Sequence, residues 1–233
     1  MDLRHRNRQP ELMDQPGLDP DAHAKALAGL RRINVLSRTV SHVWRPIERI
    51  AKQRDLNPVR VLDLASGGGD LAFQLAAVAK RRAVPAVIHG ADISQTAVDY
   101  ANELANGSDV SFRVLDALGE QMPTDYDIIT CTLFLHHLSR EQAVILLSQA
   151  ASGARHAVVV DDLIRSRVGY GLAWIGCRAV TRSPIVHFDG PVSVEGAFSM
   201  DEAGKIAEEA GLQDARLSRH WPERFQLVWE RGA

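Results

Sequence analysis

Apolar and polar positions change rhythm three times along the chain. The first twenty residues are polar and interrupted by Pro10, Pro16 and Pro20, which predicts a flexible lead over residues 1–20. Helical spacing follows over 21–52, with Leu27, Leu30, Ile33 and Leu36 three apart, then Val40, Val43, Trp44, Ile47 and Ile50. Asn57-Pro58 closes this helical preface. Strands and helices then alternate: apolar runs at 59–64, 87–91, 110–115, 126–131 and 156–160 read as strands. Helical segments fall at 70–80, at 94–105 with Asn106-Gly107 as a stop, and from the capping-box spacing of Ser139-Arg-Glu-Gln142 to Gly153.

Such alternation implies a parallel sheet wrapped by helices on both faces, an α/β fold in three layers. The end of the chain departs from it. A helix opens at Ser199-Met-Asp-Glu202 and stops at Gly211, and strands at 215–220 and 224–229 flank the short turn Trp221-Pro222-Glu223. That link has no room for a crossover helix, so the two strands must be antiparallel. The expected fold is a mostly parallel, seven-stranded sheet with one reversed C-terminal strand. Residues 21–233 form one domain, with a helical cap at 21–57, a core at 58–162, an insert at 163–198, and a helix plus strand pair at 199–233. The insert far exceeds the usual connection of about 4–6 residues, so it should carry structure or function of its own.

At 233 residues the chain can bury a full core, and 45% hydrophobic with 24% charged residues is ordinary for a globular protein. A formal charge of −2 supplies no field to attract nucleic acid, and no RNA-binding module is evident. Arg4, Arg6 and Arg8 read as a solvated, frayed tuft. Cys131 and Cys177 offer neither a disulfide framework nor metal-ligand spacing, which implies a reducing, cytoplasmic setting. No signal peptide is visible. The apolar stretch 168–180 is too short to span a bilayer and is broken by Gly169, Gly171, Gly176 and Arg178. No membrane insertion is expected, although a weak surface contact stays open.

Val61-Leu-Asp-Leu-Ala-Ser-Gly-Gly-Gly-Asp70 carries the strongest chemical signal: a strand, a glycine turn and a helix start. Glycines let backbone approach a ligand, and the helix N-terminus adds free N–H donors. Gly67-x-Gly69-x-x-Ala72, with Asp92 downstream, even matches a dinucleotide fingerprint, which would make the chain an NAD(P)-dependent oxidoreductase. Asp63 inside the strand and the later strand ends point elsewhere.

The run resembles the first motif of class I S-adenosylmethionine (SAM)-dependent methyltransferases, with Ala65 where the first glycine of that turn stands. An alanine there disfavours positive φ, so the turn is expected to differ slightly at that point. The resemblance implies a Rossmann-like fold, SAM as cofactor and methyl transfer. It gives Asp63 the task of organising the turn, which includes Ser66, and the amino acid end of SAM. In Gly90-Ala-Asp92-Ile93-Ser94 it gives Asp92 the ribose hydroxyls and Ile93 the adenine face. In Leu115-Asp116-Ala117 it sets Asp116 against the adenine amino group, with Ala117 beside it. The stretch from Tyr126 to Leu138, including Thr132 and Leu133, is similar to the fourth-strand motif and its methionine-contacting loop. Among relatives the chain looks most like the small-molecule group that includes ubiquinone and menaquinone biosynthesis methyltransferases, implying a phenol- or quinol-like acceptor and O- or C-methylation.

O-methylation of a phenol profits from a nearby base, and His136 and His137 follow the fourth strand. Adjacent residues diverge, so only one should face the pocket. Asp161-Asp162 could orient a substrate hydroxyl or cap the next segment. The helical cap and the insert, with Tyr170, Trp174, His187, Phe188 and Asp189, could form the acceptor side, His187 being a second base candidate. A cofactor-binding but non-catalytic module is the remaining alternative, and the oligomeric state is left open.

Overall fold

The computed structural model describes residues 3–15 and 17–232. Helices α1 (Pro20–Leu36) and α2 (Thr39–Gln53) precede strand β1 (Val59–Leu64). Then come α3 (Asp70–Arg81), β2 (Ala86–Asp92), α4 (Gln95–Ala105), β3 (Ser111–Val114) and β4 (Tyr126–Thr132). A 3-10 turn at Leu135–His137 leads to α5 (Arg140–Gly153) and β5 (Ala154–Leu163). The insert is two helices, α6 (Arg167–Val180) and α7 (Pro184–Gly196), followed by α8 (Met200–Glu209), β6 (Arg216–His220) and β7 (Arg224–Glu230).

The sheet order is β3-β2-β1-β4-β5-β7-β6. Strands β1 to β5 pair in parallel, and β7 runs antiparallel to both β5 and β6. The near-continuous apolar runs of β1, β4 and β5 are explained by burial on both faces. Val61, Ile128 and Val159 point toward a layer holding Ile47 and Ile50 of α2, Leu75 of α3 and Val98 of α4. Leu62, Ile129 and Val158 point the other way, toward Leu146 and Leu147 of α5 and Ile206 of α8. Each fully buried aliphatic chain contributes about 1.5–3 kcal/mol, so these two faces hold the sheet in place.

A third, smaller apolar cluster joins the insert to the N-terminal segment. Ala26, Cys177, Ile185 and Val186 are buried there, with Leu12, Met13, Leu18, Leu30 and Ile33 packed against them. Three expectations change here. In α1 the inward face is Ala26, Gly29, Leu30 and Ile33, while Leu27 and Leu36 are exposed. A strict three-residue spacing drifts about 60° per step around a helix of 3.6 residues per turn, so Leu27 and Leu36 lie on opposite sides.

The predicted flexible lead is also different, where residues 3–15 are concerned; Met1, Asp2 and Pro16 lie outside the described residues. The amide of Asn7 donates to Glu195 O at 3.0 Å, and the amides of Leu12 and Met13 donate to the Asp189 carboxylate at 2.7 and 3.1 Å. Nor are the arginines a solvated tuft. Arg6 lies 3.7 Å over the Phe198 ring and donates to Gly196 O and His136 O, while Arg8 donates to His137 O. Backbone donors and carbonyls that the lead and the insert cannot satisfy alone are satisfied by each other.

Candidate active site

The carboxyl ends of β1, β2 and β4 meet at one edge of the sheet, where open α/β folds gather their ligands. The turn after β1 is tied down by backbone and by Asp92. Ser66 N donates to Ala91 O at 3.0 Å, Gly69 N to Ser66 O at 2.9 Å, and Gly67 N to Asp92 Oδ2 at 2.8 Å. Gly69 has φ +83°, and a Cβ there would run into the Phe112 ring, so only glycine fits. Ala65 takes φ +52°. The alanine thus adopts the left-handed conformation that its side chain disfavours, at a cost of about 1–2 kcal/mol.

A cavity of about 160 Å³ opens beside this turn. Its floor is Asp63, Ala65 and Ser66 with Thr132 and Leu133, and Asp70, Leu71 and Gln74 of α3 form one wall. Asn34, Thr39 and Val40, at the junction of α1 and α2, form the other. None of these three stood out in the sequence, since a helix junction carries no motif. Ser66 Oγ and Thr132 Oγ1 are buried without a hydrogen-bond partner. A buried polar atom left unpaired costs about 1–3 kcal/mol, so two of them on residues that line one cavity fit a polar ligand. A Cβ placed on Gly67 would meet nothing within 4 Å, which leaves its backbone open to close approach. Asp63 is buried, and burial raises its pKa; the Thr130 hydroxyl, donating at 2.8 Å, opposes this, Asp92 adds to it, and the carboxyl sits at about 7. A carboxylate and two hydroxyls suit the charged amino acid end of SAM.

Asp92 and Ile93 form the adjoining lip. The Asp92 carboxylate accepts from Gly67 N and, at 2.9 Å, from Ser94 N, so it shapes the turn as well as facing outward. Ile93 is 67% exposed, an apolar side chain standing free at the mouth of the site. Leu115 N donates to Asp92 O, which sets Asp116 and Ala117 next to that lip. Asp116 itself closes a local turn by accepting from Leu118 N at 2.9 Å, and Ala117 packs on the core.

The histidine candidates lie elsewhere. His136 is buried, with Nδ1 2.7 Å from Asp162 Oδ1 and Nε2 3.6 Å from Glu11 Oε1. Burial alone would lower its pKa, but the two carboxylates outweigh burial and hold it up at about 9. An imidazole that stays protonated is a poor general base. His137 is partly exposed, its Nε2 3.9 Å from the same Glu11 oxygen. His187 Nε2 is 2.8 Å from the Thr181 carbonyl. Among the described residues no histidine lines the cavity. Asp161 is fully buried and ion-paired with Arg224, and its Oδ2 lies 2.8 Å from His220 Nε2. Arg224 also donates to Thr39 Oγ1 at 2.7 Å, so this network fastens the cap over the cavity. In the insert, Trp174 and Phe188 are exposed and Asp189 is used by the N-terminal segment, so these residues do not converge on the cavity. Glu11 escaped notice because nothing in a proline-spaced polar lead marks one glutamate.

A family model described as a methyltransferase domain matches residues 61–156. A ubiquinone biosynthesis O-methyltransferase of Pseudomonas entomophila is 29% identical over 207 residues, covering 78% of this chain and 86% of that protein. One from Nitrosomonas europaea is 25% identical, covering 73% and 74%. Among solved structures, the plantazolicin methyltransferase BpumL in complex with SAH is 16% identical, covers 92% of both chains and has a TM-score of 0.70. Magnesium protoporphyrin IX methyltransferase (ChlM) from Synechocystis with bound SAM is 19% identical, covers 95% and 88%, and has a TM-score of 0.54. The dinucleotide reading of Gly67-x-Gly69-x-x-Ala72 gives way to these matches, and so does the non-catalytic one. No helix among the described residues is long and apolar enough to cross a membrane. Residues 61–156 are thus a methyltransferase domain, and the chain is a SAM-dependent methyltransferase with the fold of enzymes solved with SAM or SAH bound.

Proposed function

We propose that this enzyme methylates a small aromatic, phenol- or quinol-like acceptor on oxygen or carbon. The observation that carries the reading is the cavity of about 160 Å³ lined by Ser66 and Thr132, whose hydroxyls are unpaired, and walled by Asn34, Thr39 and Val40, where an acceptor would meet the cofactor. The relatives named for ubiquinone biosynthesis O-methylation support an acceptor of that class.

Bound SAM supplies an electrophilic methyl group on a sulfonium leaving group. The chain's part is to hold both reactants in line and dry, since orientation alone can be worth about 7–11 kcal/mol of a two-substrate barrier. Asp63, Ser66 and Thr132 receive the amino acid end of the cofactor. The Asp92 carboxylate, braced by Gly67 N–H, would hold its ribose end, and Ile93 would cover the adenine. The junction of α1 and α2, which lines the cavity through Asn34, Thr39 and Val40, would help to keep water from the reacting groups. Charge on the acceptor is not set by His136, whose lone pair is taken by a proton.

The test is incubation of the purified chain with methyl-labelled SAM and a panel of catechols, phenols and quinols, with peptide and RNA pools alongside. Label in a small aromatic fraction is the expected outcome. Label in RNA or peptide alone would overturn the acceptor class and leave the cofactor assignment standing.

A further inference from the structure

We propose that Glu11, His136 and His137 form a binding site for one divalent transition-metal ion of the Zn2+ class. Glu11 Oε1 lies 3.6 Å from His136 Nε2 and 3.9 Å from His137 Nε2, and the three ligand atoms all fall within 4.8 Å of one another. With Zn–N and Zn–O bonds of about 2.0–2.1 Å, the edge of a tetrahedron is about 3.4 Å. The observed spacings close on an ion through shifts of a few tenths of an ångström at most pairs.

Two features beyond convergence argue for a built site. His136 Nδ1 stands 2.7 Å from the buried Asp162 carboxylate, which directs Nε2 at Glu11 and fixes the ring. That is the outer-shell arrangement by which metal-ligating histidines are oriented. Glu11 is itself held, accepting from the Ser193 hydroxyl, which also donates to Asp189 O. Glu11 and Asp162 together balance a dication. The cations nearby are turned to other partners: Arg6 to the His136 carbonyl and the Phe198 ring, Arg8 to the His137 carbonyl, and Arg165 to Glu202.

Two imidazoles and one carboxylate select zinc-like ions over magnesium or calcium, which prefer all-oxygen sets. Bound metal would take the position of the proton on His136 Nε2 and leave a fourth place for water. Its effect would be to clamp the N-terminal segment onto the turn between β4 and α5, the turn that also carries Leu133 of the cofactor cavity. The site stands whatever the methyl acceptor proves to be.

The experiment is a competition titration of the full, chelator-treated chain with Zn2+, using a chromophoric chelator, with Mg2+ as control. One equivalent should bind at micromolar affinity or tighter, and Mg2+ should not compete. Co2+ in its place should give the visible absorption of a four-coordinate site. Glu11→Gln and His137→Ala should each weaken binding roughly tenfold or more, while His156→Ala on β5 should not. Hydrogen exchange at residues 6–12 should slow on adding Zn2+. The wild-type titration and the Co2+ spectrum need no variant. Sub-stoichiometric or millimolar binding, or tight binding that Glu11→Gln and His137→Ala leave unchanged, overturns the proposal; these residues are then an imidazolium clamp alone.

Discussion

Replacing Asp63 by asparagine should stabilise the ligand-free enzyme increasingly as pH rises, and weaken its grip on the cofactor. Asp63 is 2% exposed, and burial is the main reason its pKa stands at about 7 rather than 3.8. At about 1.36 kcal/mol per pK unit, the ionised carboxylate costs the folded state about 4 kcal/mol against a solvated one. The folded pKa lies above the unfolded one, so Asp63's favourable contribution is complete below the unfolded value and is lost as pH climbs through about 7. Asparagine keeps the shape and the acceptor for Thr130, and it does not titrate. Between about pH 5 and pH 8 the variant should therefore gain about 3 kcal/mol on the wild type, or roughly 6–12 °C in Tm for a chain this size. In the proposed site the cationic ammonium of SAM would lie at this end, so S-adenosylhomocysteine, which keeps that group, should bind roughly tenfold or more weakly. Denaturant melts of both proteins at the two pH values, with calorimetry for the ligand, read this out. A stability difference of the same size at both pH values would refute the picture of a buried titrating acid.

Three further outcomes follow from the site and its supports. Asp92→Ala removes the acceptor of Gly67 N and Ser94 N and, in the proposed site, the ribose contact, so affinity for S-adenosylhomocysteine should drop at least roughly tenfold; calorimetry at wild-type affinity would sink the site map. Ala65→Gly relieves the φ of +52° and should raise stability by up to about 1 kcal/mol, net of the added freedom of the unfolded chain. A loss of more than that in a denaturant melt would mean that the Ala65 methyl packs usefully. Arg165→Ala strips both 2.8 Å bonds to Glu202 and the bond to Ala197 O, at an expected cost of about 2–4 kcal/mol, discounted because Glu202 is partly solvated. An unchanged melting temperature would contradict that role.

The sheet was legible in the sequence because its signals are local. Runs such as Val59–Leu64 are bounded by Asn57-Pro58 and the glycine turn, and the Trp221-Pro222-Glu223 link leaves room only for a reversed strand. The strand ends that frame the cavity were legible for the same reason, since Asp63, Ser66 and Asp92 each sit next to a strand-to-helix turn. What was hidden depends on partners far along the chain. Arg6 is satisfied by carbonyls more than a hundred residues away, and His136 is made cationic by Asp162 and Glu11, neither of which periodicity can place beside it. The cap over the cavity was hidden too: Thr39 reaches Arg224, which reaches Asp161, a chain of contacts with no spacing in sequence.

Titration calorimetry of the purified chain with S-adenosylhomocysteine, alongside NADH and NADPH, tests the central claim most directly. Micromolar, one-to-one binding of S-adenosylhomocysteine with silence from both nicotinamides is the predicted result. Binding of a nicotinamide nucleotide, with none of S-adenosylhomocysteine, would contradict the assignment of the glycine turn, Asp63 and Asp92 to SAM.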